Sequence, residues 1–322
     1  MRKVVLGRIG VRVSAISLGT WAFGGESMSG KFSVGWGGQT RNDSKQALLK
    51  SWDGQINHWD TADVYGDGLS ERIIGEMWKE IPRDKIFIAT KVGWDKGPYR
   101  EWYHPKHMTK NIERSLKNLK TDHIDLLYLH HCNFGKNDEY FDDAVSVVKK
   151  FQSDGKVKHL GLSDWSSKRI LKYAIRFDPD IIQPYHNVMD DNYSTSGLKD
   201  FINDNNLGVC FFSPLKHGLL TGKYSTPTTF EAGDHRSNIK DFQDLKILYR
   251  LKENKLLLKK RFQLQKNPVL YGLVNSLFVD SNTGCVLLGQ RNKAQVGAAC
   301  LLGDIISEND ALWVKNLYNI NS

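Results

Sequence analysis

Eight short apolar runs recur along this chain, each followed by a stretch with helical periodicity. That alternation constrains the fold more than any single motif. The runs lie at residues 13–21, 56–60, 85–91, 123–130, 157–163, 181–187, 207–214 and 284–289. Near-continuous apolar strands suit a parallel sheet that is covered on both faces. Eight strand-then-helix units predict an α/β fold closed as a (β/α)8 TIM barrel, with the active site where the strands end. The rival is an open doubly wound sheet, whose dinucleotide fingerprint is missing. Gly66-Asp67-Gly68 is followed by Glu71 where the third glycine belongs.

Residues 3–13 alternate around Gly7 and Gly10 and predict an N-terminal β-hairpin. Helices are expected from a Ser44 cap to about residue 55, and from Ser70 to Trp78. Others are expected over 105–120, with Pro105 in the first turn, and over 142–154, with Gly155 as the stop. Further helices are read at 167–177, 197–205 and 292–302, with an extra C-terminal helix at 308–319. A Gly-rich loop covers 24–43, and a long loop with one or more helices covers 215–279. No linker divides the chain, so residues 1–322 read as one domain.

Charge and cysteine usage exclude several classes. The net charge of +9 is spread along the chain, with only short clusters such as Lys255 to Arg261. No interleaved basic and aromatic motif marks a nucleic-acid partner. The surplus reads as a solvated basic surface, with some attraction for a phosphorylated ligand. No run approaches the roughly 18 apolar residues of a membrane span, and the N-terminus has no signal-peptide core. Cys132, Cys210, Cys285 and Cys300 lie far apart with no Cys-x-x-Cys. They read neither as a disulfide framework nor as a zinc site, and a cytoplasmic setting is expected. His104 and His107 open a helix without a carboxylate or cysteine at metal-binding spacing, so no metal is expected there. The segment from Gly218 to Lys223 imitates a P-loop but is one residue short.

The strand ends carry the chemistry. They include Trp21, Asp60, Lys91, His130, Ser163, Gln183, Ser213 and Gly289, which a barrel brings to one mouth. Tyr65 follows Asp60 closely. A phenol has a free pKa of about 10 and becomes a useful proton donor when a nearby cation favours the phenolate. Lys91 is that cation, and Asp60 holds it charged. A carbonyl accepting hydride develops negative charge on oxygen, which Tyr65 meets with a proton and His130 with a hydrogen bond. Singly, Asp60 reads as a cap, Tyr65 as a loop aromatic and Lys91 as a surface lysine; their joint placement favours the catalytic set. His131 competes with His130, and strand alternation does not choose between them.

In these motifs the chain resembles the aldo-keto reductases over nearly its whole length. Asp60-Thr61-Ala62, Tyr65-Gly66 and Ser70-Glu71 are similar to the family's first signature, and Thr90-Lys91 to the close of its third strand. In Asp125-Leu126-Leu127-Tyr128-Leu129-His130, the His five residues after Asp125 matches the family's catalytic His and favours His130. The resemblance implies NADP(H) bound without a Rossmann domain. It implies that Ser163, Asp164 and Gln183 hold the nicotinamide amide and that Phe212 stacks on the ring. Ser213, Pro214, Leu215 and Gly218 would form the pyrophosphate loop, with Lys223 and Arg236 approaching the phosphates. Arg291 would favour the 2′-phosphate, and Gln295 would reach the adenosine half. Thr20, Trp21, Asp60 and Gly289, at strand ends, complete the implied cofactor set.

The chain departs from the family at three places. Asp164 stands where Asn is usual, and a carboxylate cannot donate to the carboxamide oxygen. Ala298 and Ala299 replace a Glu-Asn pair at the adenine end, which predicts weaker cofactor affinity there. Phe212 replaces the commoner Tyr or Trp but keeps a stacking face. The substrate side draws on aromatic loops with Trp21, Trp36, Trp94, Tyr99, Trp102 and Phe134; several are equally read as loop packing. Trp21 and Trp94, with Tyr65 and His130, are the expected substrate contacts, for a small carbonyl or sugar. Three readings result. The first is a reversible NADPH-dependent carbonyl reductase. The second is an NADPH-binding regulatory subunit with little turnover. The third is a lyase using Lys91 as a Schiff-base amine.

Overall fold

A computed structural model describes residues 1–319. The parallel strands Ile16–Gly19, His58–Asp60, Phe87–Val92, Ile124–Leu129, Val157–Asp164, Ile181–Pro184, Gly208–Phe211 and Gly284–Gly289 form a closed barrel. Each strand lies beside its sequence neighbours, and the eighth closes on the first through Val286↔Ile16 and Gly289↔Gly19. The expected TIM barrel is present. An antiparallel hairpin, Lys3–Val5 with Arg12–Ser14, precedes it. Its turn approaches the barrel closely at Gly7, whose φ is +45° and where a Cβ would strike the Leu207 backbone. The C-terminal helix spans Glu308–Tyr318.

Helices pack apolar stripes onto the strands. In Pro105–Leu119, Met108, Ile112, Leu116 and Leu119 are buried at helical spacing; each such side chain contributes about 1.5–3 kcal/mol. In the second strand, Trp59 points outward and stacks on Trp78 at 5.8 Å. By alternation, His58 and Asp60 point inward.

Several boundaries moved for local reasons. The expected first strand splits in two, because the Ala15 N–H bonds Arg2 O (2.9 Å) and continues the hairpin before the barrel begins. The helix expected to start at Ser44 runs Arg41–Asp53, and its cap is Thr40, whose side chain accepts from Asp43 N. Ser70 caps nothing. The helix Leu69–Glu76 begins after left-handed Gly68, and the Ser70 hydroxyl lies 2.8 Å from Thr20 Oγ1 and 3.0 Å from Thr61 Oγ1. Strands six and seven are shorter than expected, since only a single bridge, Tyr185↔Phe212, extends their pairing. The long segment after strand seven contains helices Leu245–Arg261 and Pro268–Asn275.

Candidate active site

The strand ends open into a cleft of about 790 Å³. Trp21, Asp60, Lys91, His130, Ser163, Gln183, Ser213 and Gly289 all line it. At its floor, Lys91 Nζ donates to Asp60 Oδ1, to Thr61 O (2.8 Å) and to the Tyr65 hydroxyl (3.1 Å). An ammonium has three donors, so all are engaged. The other Asp60 oxygen accepts from Gln183 Nε2 at 2.9 Å. Because Tyr65 oxygen accepts from Lys91, its own proton is left for another acceptor. Gly66, at φ +61°, lets the turn after Tyr65 press on Gly24, where a Cβ would collide with backbone. The Thr20 hydroxyl donates to Asp60 O at 2.9 Å and helps fix the strand end.

The electrostatics follow from burial and neighbours. Burial opposes the charge on Lys91, but Asp60 and Tyr65 outweigh it, and its pKa lies above the usual lysine value. For Tyr65 the balance differs from the sequence expectation. Lys91 does pull the phenol down, yet burial, with Asp60 adding to it, wins and leaves the pKa raised. His130 is held well below the usual imidazole value by burial and by Lys91, so its ring is neutral near pH 7. It lies 6.0 Å from the Tyr65 ring, centroid to centroid. Its buried Nδ1 has no hydrogen-bond partner among the described residues. His131 turns away. Its Nε2 meets Gly93 O at 3.0 Å and its Nδ1 accepts from Asn133 N, while burial drops its pKa to about 3.

The remaining predicted residues divide by what they touch. Asp164, Phe212, Pro214, Leu215, Gly218, Lys223, Arg236, Arg291, Gln295 and Trp94 line the cleft; Thr20 does not, being buried behind Asp60. Both Asp164 oxygens accept backbone N–H groups, from Cys132 (2.7 Å) and Ser166 (2.8 Å). Arg236 forks onto Asp234 (2.9 and 2.6 Å) between the Trp36 and Phe230 rings. Arg291 bonds Gln39 and Gly37 O, and Gln295 accepts from Arg291 N. Ala298 lines the cleft while Ala299 is buried. Of the loop aromatics, Tyr99 stacks on His104 and Phe134 is buried against Tyr103, so these two pack loops. Trp102 packs edge-on against Trp94.

The sequence reading missed Trp165, His217, His235 and Arg114, all of which line the cleft. Trp165 lies 5.0 Å from Phe212, and His217 and His235 lie 4.9 Å apart. Trp165 had a signal, since it directly follows the strand end Ser163-Asp164. His217 and His235 sit in a long irregular segment with none.

A model described as the Aldo/keto reductase family matches residues 15–295. The aldo-keto reductase YhdN of Bacillus subtilis (strain 168) is 32% identical over 237 residues, which cover 73% of this chain and 68% of that protein. The NADH-specific methylglyoxal reductase of Escherichia coli (strain K12) is 30% identical over 235 residues, or 69% of this chain and 70% of its own. Among solved structures, the glycerol dehydrogenase of Gluconobacter oxydans gives a TM-score of 0.78 at 27% identity and covers 98% of this chain and 94% of its own. Among the described residues no helix is long and apolar enough to cross a membrane. The chain belongs to the aldo/keto reductase family and, with it, to the oxidoreductases that act on carbonyl groups.

Proposed function

We propose that this chain, as a single catalytic domain, reduces a small aldehyde, ketone or sugar carbonyl reversibly, with NADPH as the preferred partner. The observation that carries the proposal is the buried Asp60–Lys91–Tyr65 relay at the cleft floor. Tyr65 donates its proton to the carbonyl oxygen. Lys91 stabilises the phenolate left behind, and Asp60 keeps Lys91 charged. Neutral His130 orients the carbonyl by a hydrogen bond. No side chain supplies hydride, and a bound nicotinamide does.

The chemistry lining the cleft supports a dinucleotide. Phe212, Trp21 and Trp165 offer flat faces, Ser163 and Gln183 offer amide partners, and Lys223 and Arg291 supply positive charge, while the Arg236 charge is met by Asp234. Asp164 contributes no donor, as its oxygens serve backbone N–H groups. One relative is named NADH-specific, so the choice of NADPH rests on Arg291.

The test is cofactor absorbance during turnover of aldehydes, ketoses and aromatic carbonyls, with NADPH and NADH in parallel. Turnover favouring NADPH supports the reading; cofactor binding without turnover across the panel favours the regulatory subunit instead. Tyr65→Phe is expected to keep cofactor binding and to lose turnover by roughly a hundred- to ten-thousand-fold. A near-wild-type rate would remove Tyr65 as the donor. Arg291→Ala is expected to weaken NADPH about tenfold with little change in NADH, a loss of the size of one charge-assisted contact. Equal losses would take Arg291 off the 2′-phosphate.

A further inference from the structure

The barrel interior holds a second polar cluster that carbonyl reduction does not use. His58, Cys210 and Cys285 have no solvent exposure. They sit on barrel strands two, seven and eight, far apart in sequence, with Cys210 directly opposite Cys285 in the sheet register. One potential ligand atom from each lies within 4.8 Å of the others. His58 Nδ1 is 3.4 Å from Cys285 Sγ, and His58 Nε2 is buried with no hydrogen-bond partner among the described residues. We propose that His58, Cys210 and Cys285 form a binding site for one thiophilic divalent cation of the zinc class, enclosed in the barrel beneath Asp60.

The donor set and its spacing carry this. Zinc takes thiolate at about 2.3 Å and imidazole at about 2.0–2.1 Å in tetrahedral sites, which sets an N-to-S edge of about 3.5 Å. The His58–Cys285 contact already has that length. The third atom, Cys210 Sγ, lies within 4.8 Å of the other two, within reach of such an edge by rotation of the thiol side chain. Two thiolates and a neutral imidazole balance a divalent charge, so the site buries no net charge, which a dry interior would penalise. Soft sulfur ligands select zinc over magnesium or calcium. The fourth position falls to a water or to the buried Tyr128 hydroxyl, which feels the charge of both cysteines. Small buried cysteines are ordinary core residues, but a buried imidazole nitrogen 3.4 Å from one thiol, with a second thiol within 4.8 Å, is a ready-made set of soft donors. The ion would join three strands on both sides of strand one. With no exposed ligand it enters as the barrel closes, so loading accompanies folding.

The test uses the full chain made in zinc-supplemented cells, purified under a non-chelating phosphine reductant and dialysed against EDTA. About one zinc per chain is expected by elemental mass spectrometry, with a lower melting temperature in protein made without added metal. Protein made with cobalt(II) is expected to show thiolate-to-cobalt charge-transfer absorption. Cys285→Ser and the double variant Cys210→Ala with Cys285→Ala are expected to lose both metal and absorption. Metal-free wild-type protein with an unchanged melting temperature overturns the proposal. So does absorption that survives in Cys285→Ser, or a Cys210–Cys285 disulfide in the isolated protein. If a variant fails to fold, the wild-type metal content and cobalt spectrum decide alone. None of these readouts depends on carbonyl turnover.

Discussion

Two buried carboxylates in this molecule solve the same electrostatic problem with opposite results. Asp60, at the cleft floor, pairs with Lys91 and Gln183. Asp280, just before the eighth strand, accepts from His186 Nε2 (2.8 Å) and from Lys315 Nζ (2.6 and 2.7 Å), with Lys199 at 3.6 Å. Burial pushes the Asp280 carboxyl up, but His186 and Lys315 outweigh it and bring its pKa down to about 2. The difference lies in where each network ends. The Asp280 cations, Lys199 and Lys315, sit on helices and do not line the cleft, so this network opens onto no substrate space. The Asp60 circuit ends at a Tyr65 hydroxyl on the cleft, with a proton still to give. A buried ion pair becomes useful for chemistry when its last member faces a substrate space.

The largest expected effect that sharpens this contrast is Lys91→Met. It removes the ammonium beside Tyr65 and strands Asp60 with 1% exposure. We expect loss of nearly all turnover together with a stability loss of about 3–5 kcal/mol, the usual cost of leaving a buried charge unpaired. Chemical denaturation and turnover measured on the same preparation check both. Turnover within a few-fold of wild type would break the contrast, because the Asp60 network would then be scaffold like the other.

Asp280→Asn comes next. It should cost about 1.5–3 kcal/mol, the range for hydrogen bonds to charged groups, and leave turnover unchanged. The cost is smaller because the Lys315 side chain is 29% exposed and reaches water when its partner is gone. The pH dependence has a definite sign. The folded pKa of Asp280 lies below its ordinary value of 3.8, so its stabilisation is present above that value and is lost as pH falls through about 2. Wild type and Asp280→Asn should therefore differ in stability at neutral pH and converge in acid. A gap that persists at the acid end would mean that packing, and not charge, sets the effect.

The sequence exposed the barrel and the relay because both are written in strand periodicity. Asp60 and Lys91 sit at strand ends, where a barrel gathers side chains however far apart they are in the chain. What it hid depends on contacts between loops. Strand alternation does not separate His130 from His131, and only the family resemblance favours His130; the contacts that hold His131 in the scaffold, to Gly93 O and Asn133 N, appear once the loops are in place. Arg236 reads as a free cation until Asp234 is seen to grip it. Cys210 and Cys285 carry no spacing motif, yet sheet register makes them neighbours. The rise in the Tyr65 pKa was hidden for a different reason. It is a contest between burial and Lys91, and a sequence states the partner but not the depth.

The smallest effect tests whether the two networks are isolated from ordinary scaffold energetics. Thr40 caps the helix Arg41–Asp53 by accepting from Asp43 N at 3.0 Å. Its neighbour Gln39 holds Arg291 through a 3.2 Å bond. Thr40→Ala should cost about 1 kcal/mol of stability, the usual worth of such a cap. If the cap serves the helix alone, the KM values for NADPH and NADH stay at wild type. If fraying at Arg41 releases Gln39, the KM for NADPH rises while kcat holds, because Arg291 would lose its rest position without disturbing Tyr65. The second outcome would make the Gln39–Arg291 lock a third network, tied to the scaffold at one end and open to the cleft at the other, as the Asp60 relay is and the Asp280 cluster is not.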